Sequence, residues 1–217
     1  MLNGSLSAGR HLFSVGHSNH DLPAFLRLLR LNGVSALADV RSAPYSQRYP
    51  QFNREPLERA LRDADVLYVF LGDQLGGRPP PREVYDDEGR VDYQKVRATD
   101  FFRHGLDRLL CGLNEYTIAM MCGEADPLDC HRGLMIAPAL VEHGIAPGHI
   151  RKDGSVESTP EMERRLLAAT RLESGMLDGL FAGRVDEERQ RLLAEAYRAM
   201  ARKKAFRLRP EADDLGD

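Results

Sequence analysis

The chain has 217 residues, 42% of them hydrophobic and 29% charged, and a formal net charge of -3; this is the balance of one sizeable globular core, not of a disordered or fibrous chain. The small negative charge provides no general attraction for nucleic acid or for a lipid surface. Three cysteines, few and odd in number, argue against a disulfide framework, and with neither a signal-peptide pattern nor an apolar run of membrane-spanning length a cytoplasmic location is expected.

Residues 1–10 read as a leader. Residues 12–16 are an apolar run of strand length that opens onto His17, Ser18 and Asn19. Asp21 is placed to cap a helix with Pro23 in its first turn, Phe25, Leu26, Leu28 and Leu29 on its apolar side, and Asn32-Gly33 at its end. Residues 34–40 read as the second strand, finishing at Asp39 with Arg41 and Ser42 beyond. The loop 44–53 mixes aromatic, polar and cationic side chains, and a helix over 57–64 and a third strand over 66–71 follow.

Residues 72–92 form a connection long enough to be a lid or a binding loop. Its Gly76-Gly77 reads as a turn, since no Gly-x-x-x-x-Gly-Lys or Gly-x-Gly-x-x-Gly surrounds it. The pattern then predicts a helix over 93–113, a fourth strand over 117–122, a helix over 133–143 and a short fifth strand over 148–150. Beyond Pro160, residues 161–170 and 186–202 are amphipathic charged helices, followed by a basic run over 202–209 and an acidic tail over 211–217. The basic run reads as a solvated face, with an anion patch or an oligomer contact through the C-terminal helices as the alternative.

Strands alternating with helices predict an α/β domain over 1–155, three-layered and Rossmann-like, with a mostly parallel sheet and flanking helices. A C-terminal helical extension occupies 156–217. Right-handed crossovers would gather the carboxyl ends of the strands on one edge, bringing His17, Asp39, Arg41 and Cys122 together as at a topological switch point.

The densest chemistry follows the fourth strand: Cys122-Gly123-Glu124, a Pro-containing acidic turn, then Cys130-His131-Arg132. Asp129 is the expected N-cap of the next helix, placing the three in its first turn, where the dipole favours a thiolate or a bound anion. One reading is an enzyme. Cys130 is its nucleophile, with Cys122 the second thiol, His131 or His17 the base and Glu124 or Asp39 the orienter. Arg41, Arg48, Arg78 and Arg132 would hold an anionic substrate with Ser18, Asn19 and Asn53, while Tyr45, Tyr49 and Phe52 stack on a planar group. Such a set suits a nucleotide or a nucleic-acid-derived substrate, and the reaction expected is a thiol-dependent hydrolysis or transfer.

Two other readings stay open. Cys122, Cys130, His131 and His17, with Asp39 or Glu124, are acceptable ligands for zinc or iron. However, Cys-x7-Cys-His is no standard zinc spacing, and neighbours on one helical turn point apart, so no metal ligand and no cofactor is assigned. The last is a binding module without catalysis, recognising a nucleotide, a nucleic acid or a protein, with a Cys122–Cys130 disulfide as redox sensor. Plainer roles compete throughout: His17 satisfying a buried carbonyl, Asp39 and Arg41 as a structural ion pair, and Cys111 as a small buried hydrophobe.

Taken in order, five segments form one pattern: Gly16-His17-Ser18-Asn19, Asp39-Val40-Arg41-Ser42-Ala43-Pro44-Tyr45-Ser46, Gln51-Phe52-Asn53, Leu71-Gly72 with Leu75-Gly76-Gly77, and Cys122-Gly123-Glu124 with Cys130-His131-Arg132. The pattern resembles the DUF488 family of bacterial and archaeal proteins over about residues 12–151. The resemblance implies a common fold and a shared site, and it supplies no reaction. Gly123 stands where the family often has alanine, and Asp73-Gln74 where an acidic residue is common before Leu-Gly-Gly.

Overall fold

In the computed structural model, which describes residues 11–172 and 182–208, the expected apolar runs become strands: β1 (Leu12–Gly16), β2 (Ala36–Asp39), β3 (Leu67–Phe70), β4 (Ile118–Cys122) and β5 (Gly148–Ile150). The leader and the acidic tail lie outside the described residues. The five strands run parallel in the order β3-β2-β4-β1-β5. A two-residue strand that the sequence does not announce, β6 (Val156–Glu157), pairs antiparallel with β5.

Helix starts follow local capping. α1 (Leu22–Leu31) begins where the Asp21 carboxylate accepts the Ala24 N–H at 2.7 Å, and it ends before Gly33 at φ 63. α2 (Arg54–Arg62) begins three residues ahead of the expected start. The long connection holds the short α3 (Gly72–Leu75) and a 3-10 turn at Arg82–Val84. The single helix expected over 93–113 is two, α4 (Tyr93–Arg97) and α5 (Asp100–Gly112). Thr99 is extended between them, and its hydroxyl accepts the Phe102 N–H, starting a new helix. A π-helical turn, Arg132–Ile136, leads into α6 (Ala137–Glu142). α7 (Thr159–Thr170) opens on a capping box between Ser158 and Glu161, and α8 spans Ala182–Lys204.

Side chains alternate across the sheet. Val15, Leu37, Ala119 and Met121 face α1 and α2, packing on Phe25, Leu29, Leu57 and Leu61. Ala36, Ala38, Ile118, Met120 and Cys122 face the opposite layer, where Leu106 and Leu109 of α5, Leu134, Met162 of α7 and Met200 of α8 close one core. The architecture is therefore a three-layer α/β fold, with the C-terminal helices packed on each other and on the segment that follows β4. Part of the basic run is tied down: Lys204 pairs with Asp129 at 2.7 Å, and Arg207 donates to the Glu88 carbonyl at 2.8 Å. Among the described residues no helix is long and apolar enough to cross a membrane.

β4 lies between β1 and β2, with Gly16 opposite Cys122 and Asp39 opposite Met121. The chain leaving β1 must pass over β4 to build β2, and the chain leaving β4 must pass over β1 to build β5. The carboxyl ends of β1, β2 and β4 are thus neighbours, and all three lead into polar loops.

Candidate functional site

The segment after β4 corrects one sequence expectation. Asp129 does not cap the following helix; it turns out to Lys204. Asp126 caps the 3-10 turn Pro127–Asp129, accepting the Leu128 N–H at 2.9 Å. Cys130 is extended (φ -139, ψ 146). Its carbonyl accepts the N–H groups of Gly133 and Leu134, and its Sγ accepts the Arg132 N–H at 3.5 Å. The thiol itself thus takes over an N-cap's role. Because Cys130 precedes the helix rather than lying in it, its side chain and that of His131 can turn to one point. The π-helical turn that follows is a rare form that concentrates at functional sites.

Three donors meet there. His131 Nδ1 lies 3.6 Å from Cys130 Sγ and 3.8 Å from Cys122 Sγ. His131 Nε2 is 2.9 Å from the Val40 carbonyl. A carbonyl only accepts, so Nε2 carries a proton and Nδ1 is the nitrogen that faces the sulfurs. All three are buried, with Cys122 5%, Cys130 3% and His131 8% exposed, and both cysteines are free thiols. Glu124 is exposed, yet its Oε2 accepts from Cys122 Sγ at 3.1 Å, so its carboxylate closes the solvent side of the cluster.

The two thiols differ electrostatically. Burial pushes the Cys130 thiol up, but the neighbouring Cys122 sulfur, His131 and Arg132 outweigh it and hold it well below the ordinary value. The Cys130 sulfur beside it, with burial, pushes Cys122 far up. Burial lowers His131, and the Cys130 charge beside it more than compensates. Burial and the Cys130 charge both raise Glu124.

Arg132 is only 1% exposed. Its Nη1 and Nη2 donate to the Glu124 and Ala125 carbonyls at 2.8 and 3.0 Å, and its Nε has no partner among the described residues. It therefore holds the loop that carries Glu124, and brings a buried positive charge satisfied by carbonyls, not by a carboxylate.

The other face of the same edge is closed on itself. Arg41 donates from Nε and Nη2 to the two oxygens of Asp39 at 2.9 and 2.6 Å, and from Nη2 to the Phe52 carbonyl at 2.8 Å. The Tyr68 hydroxyl donates to Asp39 Oδ2 at 2.9 Å. His17 stacks on Phe52 at 4.5 Å, with Tyr49 edge-on at 6.0 Å, and its Nδ1 lies 3.0 Å from the Ser18 carbonyl. Burial and the Arg41 charge hold His17 down to about 4, so it is neutral at physiological pH. Its Nε2 lies 3.5 Å from Arg41 Nη1, and Ser18 is held at φ 47, a strained angle for a non-glycine residue.

The expected cluster of His17, Asp39, Arg41 and Cys122 thus lies on one edge but divides between the two faces of the sheet. Gly123 stands between them: a Cβ there would lie 3.7 Å from His17 Nε2. Of the residues expected to bind substrate, Asn19, Tyr45, Arg48 and Arg78 are exposed, whereas Arg41, Phe52 and Arg132 are buried. Arg48 lies over the Tyr49 ring, Arg78 over Phe206, and the Asn53 side chain accepts the Ser46 N–H at 2.6 Å.

Three participants escape a residue-by-residue reading. The Val40 carbonyl is main chain and leaves no mark in the sequence. Tyr68 pairs with Leu37 and so shares a face with Asp39 two residues on, and a lone hydroxyl in an apolar strand was the available clue. Gly77, read as a turn residue, packs on the imidazole: a Cβ there would lie 2.8 Å from His131 Nδ1. A cleft of about 650 Å³ opens elsewhere, against α8, with Tyr93 and Leu134 in its wall and neither thiol in its lining.

Fold and site together define an α/β protein with a thiol–imidazole centre at the carboxyl edge of its sheet. The family model for the domain of unknown function DUF488 matches residues 21–137, more than half of the chain, and the chain belongs to that family. The match takes in every resembling segment except Gly16-His17-Ser18-Asn19. Comparison with curated proteins and with solved structures gave no match.

Proposed function

We propose that the chain is an enzyme whose reactive centre is Cys122, Cys130 and His131, with Glu124 at its mouth, and that it acts on an anionic substrate. One observation carries this reading: three ionisable side chains, each less than a tenth exposed, converge within 4.8 Å at a strand end. Burying such groups costs stability that apolar residues of the same volume would not, and groups gathered at that cost are candidates for chemistry. Cys130 supplies the thiolate, His131 is the base beside it with Nδ1 towards the sulfurs, and Glu124 is the group through which solvent or substrate reaches them. Arg48 and Arg78 are the exposed cations suited to a phosphate or carboxylate, and exposed Tyr45 offers a face for a planar group such as a nucleobase.

The test is a panel of nucleotides and other phosphorylated compounds, read by thermal shift for binding and by product formation for turnover. Cys130→Ser should abolish turnover and leave ligand affinity intact. Turnover that persists in Cys130→Ser would remove the centre from catalysis. The two neighbouring free thiols also favour a second reading, a redox-sensitive binding module without catalysis. Reversible loss of both thiols under dilute peroxide, in a protein that binds but never converts its ligand, would select it.

A further inference from the structure

We infer that Cys122 Sγ, Cys130 Sγ and His131 Nδ1 are the protein ligands of one divalent metal ion of the zinc class. The inference rests on the reading that this cluster is the reactive centre, and it names the cofactor of that centre.

Spacing is the first argument. With metal–sulfur bonds of about 2.3 Å and metal–nitrogen bonds of about 2.0 Å, sulfur and nitrogen at two corners of a tetrahedron stand about 3.5 Å apart. His131 Nδ1 is 3.6 and 3.8 Å from the two sulfurs, and all three donor atoms lie within 4.8 Å of one another. The three fit round a single ion with little movement. The objection raised by the sequence, that neighbouring residues point apart, does not hold: Cys130 is extended and only His131 begins the helix.

The surroundings of the imidazole are the second argument. A metal-binding histidine characteristically donates its other ring N–H to a carbonyl or carboxylate, which fixes the tautomer and aims the lone pair. The Val40 carbonyl does this at 2.9 Å from Nε2. On the ligand side, a glycine faces the nitrogen: any side chain at Gly77 would start 2.8 Å from Nδ1. The loop thus covers His131 without filling the space beside it.

Charge is the third. Arg132 is buried, and its hydrogen bonds go to carbonyls. A divalent ion, two thiolates, the Glu124 carboxylate and this guanidinium together cancel. On binding, two metal–sulfur bonds and one metal–nitrogen bond form, and the remaining thiol protons leave to solvent. Two thiolates and one imidazole suit zinc among the common divalent ions.

Three protein ligands leave one position for water or substrate, the pattern of catalytic rather than structural zinc sites. Glu124, on the exposed side and 3.1 Å from Cys122 Sγ, borders that position. It is the group placed to take a proton from a bound water.

The experiment uses the full chain, reduced and prepared without chelator, titrated with zinc and with cobalt(II). The wild type and Cys111→Ser should each take up one equivalent, and the cobalt form should show a thiolate-to-metal charge-transfer band with the intense visible bands of a tetrahedral site. Cys122→Ser, Cys130→Ser and His131→Asn should lose that signature. Absence of the band from the wild type, or its persistence unchanged in Cys130→Ser, would overturn the inference. Should the variants fail to fold, the wild type alone decides: zinc should slow the reaction of Cys122 and Cys130 with a thiol reagent and leave Cys111 unaffected, whereas equal rates with zinc and with chelator would count against it. The enzyme reading fails separately. A protein that binds the metal through these thiols, yet keeps its turnover in Cys130→Ser, retains the metal site and loses the catalytic assignment.

Discussion

The two faces of one sheet edge solve the burial of charge in opposite ways. On the α1–α2 face, Asp39, Arg41, Tyr68 and the Phe52 carbonyl satisfy one another, and the network needs nothing from outside. On the opposite face, two sulfurs and a ring nitrogen are turned towards a common point. Buried His149 is a useful third case. Its Nδ1 accepts from the Ser14 hydroxyl at 2.8 Å, and its Nε2 lies 3.3 Å from Thr159 Oγ1, which itself donates to the Pro147 carbonyl. Burial alone therefore does not mark a site. What marks one is a set of lone pairs that complete each other only around something the chain does not supply.

The sharpest way to break the closed face is Asp39→Ala. It leaves the Arg41 guanidinium buried without its carboxylate, and the expected loss is about 3–5 kcal/mol of stability, read by chemical denaturation, with the zinc stoichiometry of the folded protein unchanged. A loss under about 1 kcal/mol would mean that Arg41 finds solvent and that the face is not closed.

His149 sets the pH dependence of a fully satisfied imidazole. Burial, with the Arg132 charge adding to it, holds its pKa down to about 3 from 6.5. The folded protein then binds fewer protons than the unfolded chain in this range. The stability due to neutral His149 is present above pH 6.5 and lost as the pH falls towards 3, at up to about 1.4 kcal/mol per pH unit. His149→Gln should remove that part of the slope. Identical denaturation profiles for the two proteins between pH 6.5 and 4 would contradict the assignment.

Gly77→Ala probes the open face from its covering loop. The added methyl starts 2.8 Å from His131 Nδ1, so zinc affinity should fall by about tenfold while the fold is kept, as measured by competitive titration. An unchanged affinity would place the ion away from Nδ1. The smallest effect is expected at Cys111, which was expected to be a small buried hydrophobe but is exposed on α5: Cys111→Ser should stay within about 0.5 kcal/mol of the wild type and bind metal as before.

The sequence made the sheet legible because the strands are short apolar runs ending in polar residues, the pattern of central parallel strands buried on both faces. It also showed that Cys122, Cys130 and His131 belong to the end of the fourth strand. It misled at Asp129, where a good capping residue instead pairs with Lys204, which lies far along the chain; local propensity cannot foresee a partner in α8. β6 is two residues long and exists only because β5 offers an edge. The division of the site between two faces was invisible for a related reason. A list of strand-end residues records their edge, whereas the face depends on register and on where each strand stops. His17 and Cys122, whose strands pair Gly16 with Cys122, fall on opposite faces by that one-residue offset.

X-ray absorption at the zinc edge on the reduced, zinc-loaded chain tests the central claim most directly. The expected result is a first shell of two sulfurs at about 2.3 Å with nitrogen or oxygen neighbours at about 2.0 Å, and loss of that sulfur shell in Cys130→Ser. A first shell of nitrogen and oxygen alone, unaltered by Cys130→Ser, would contradict it.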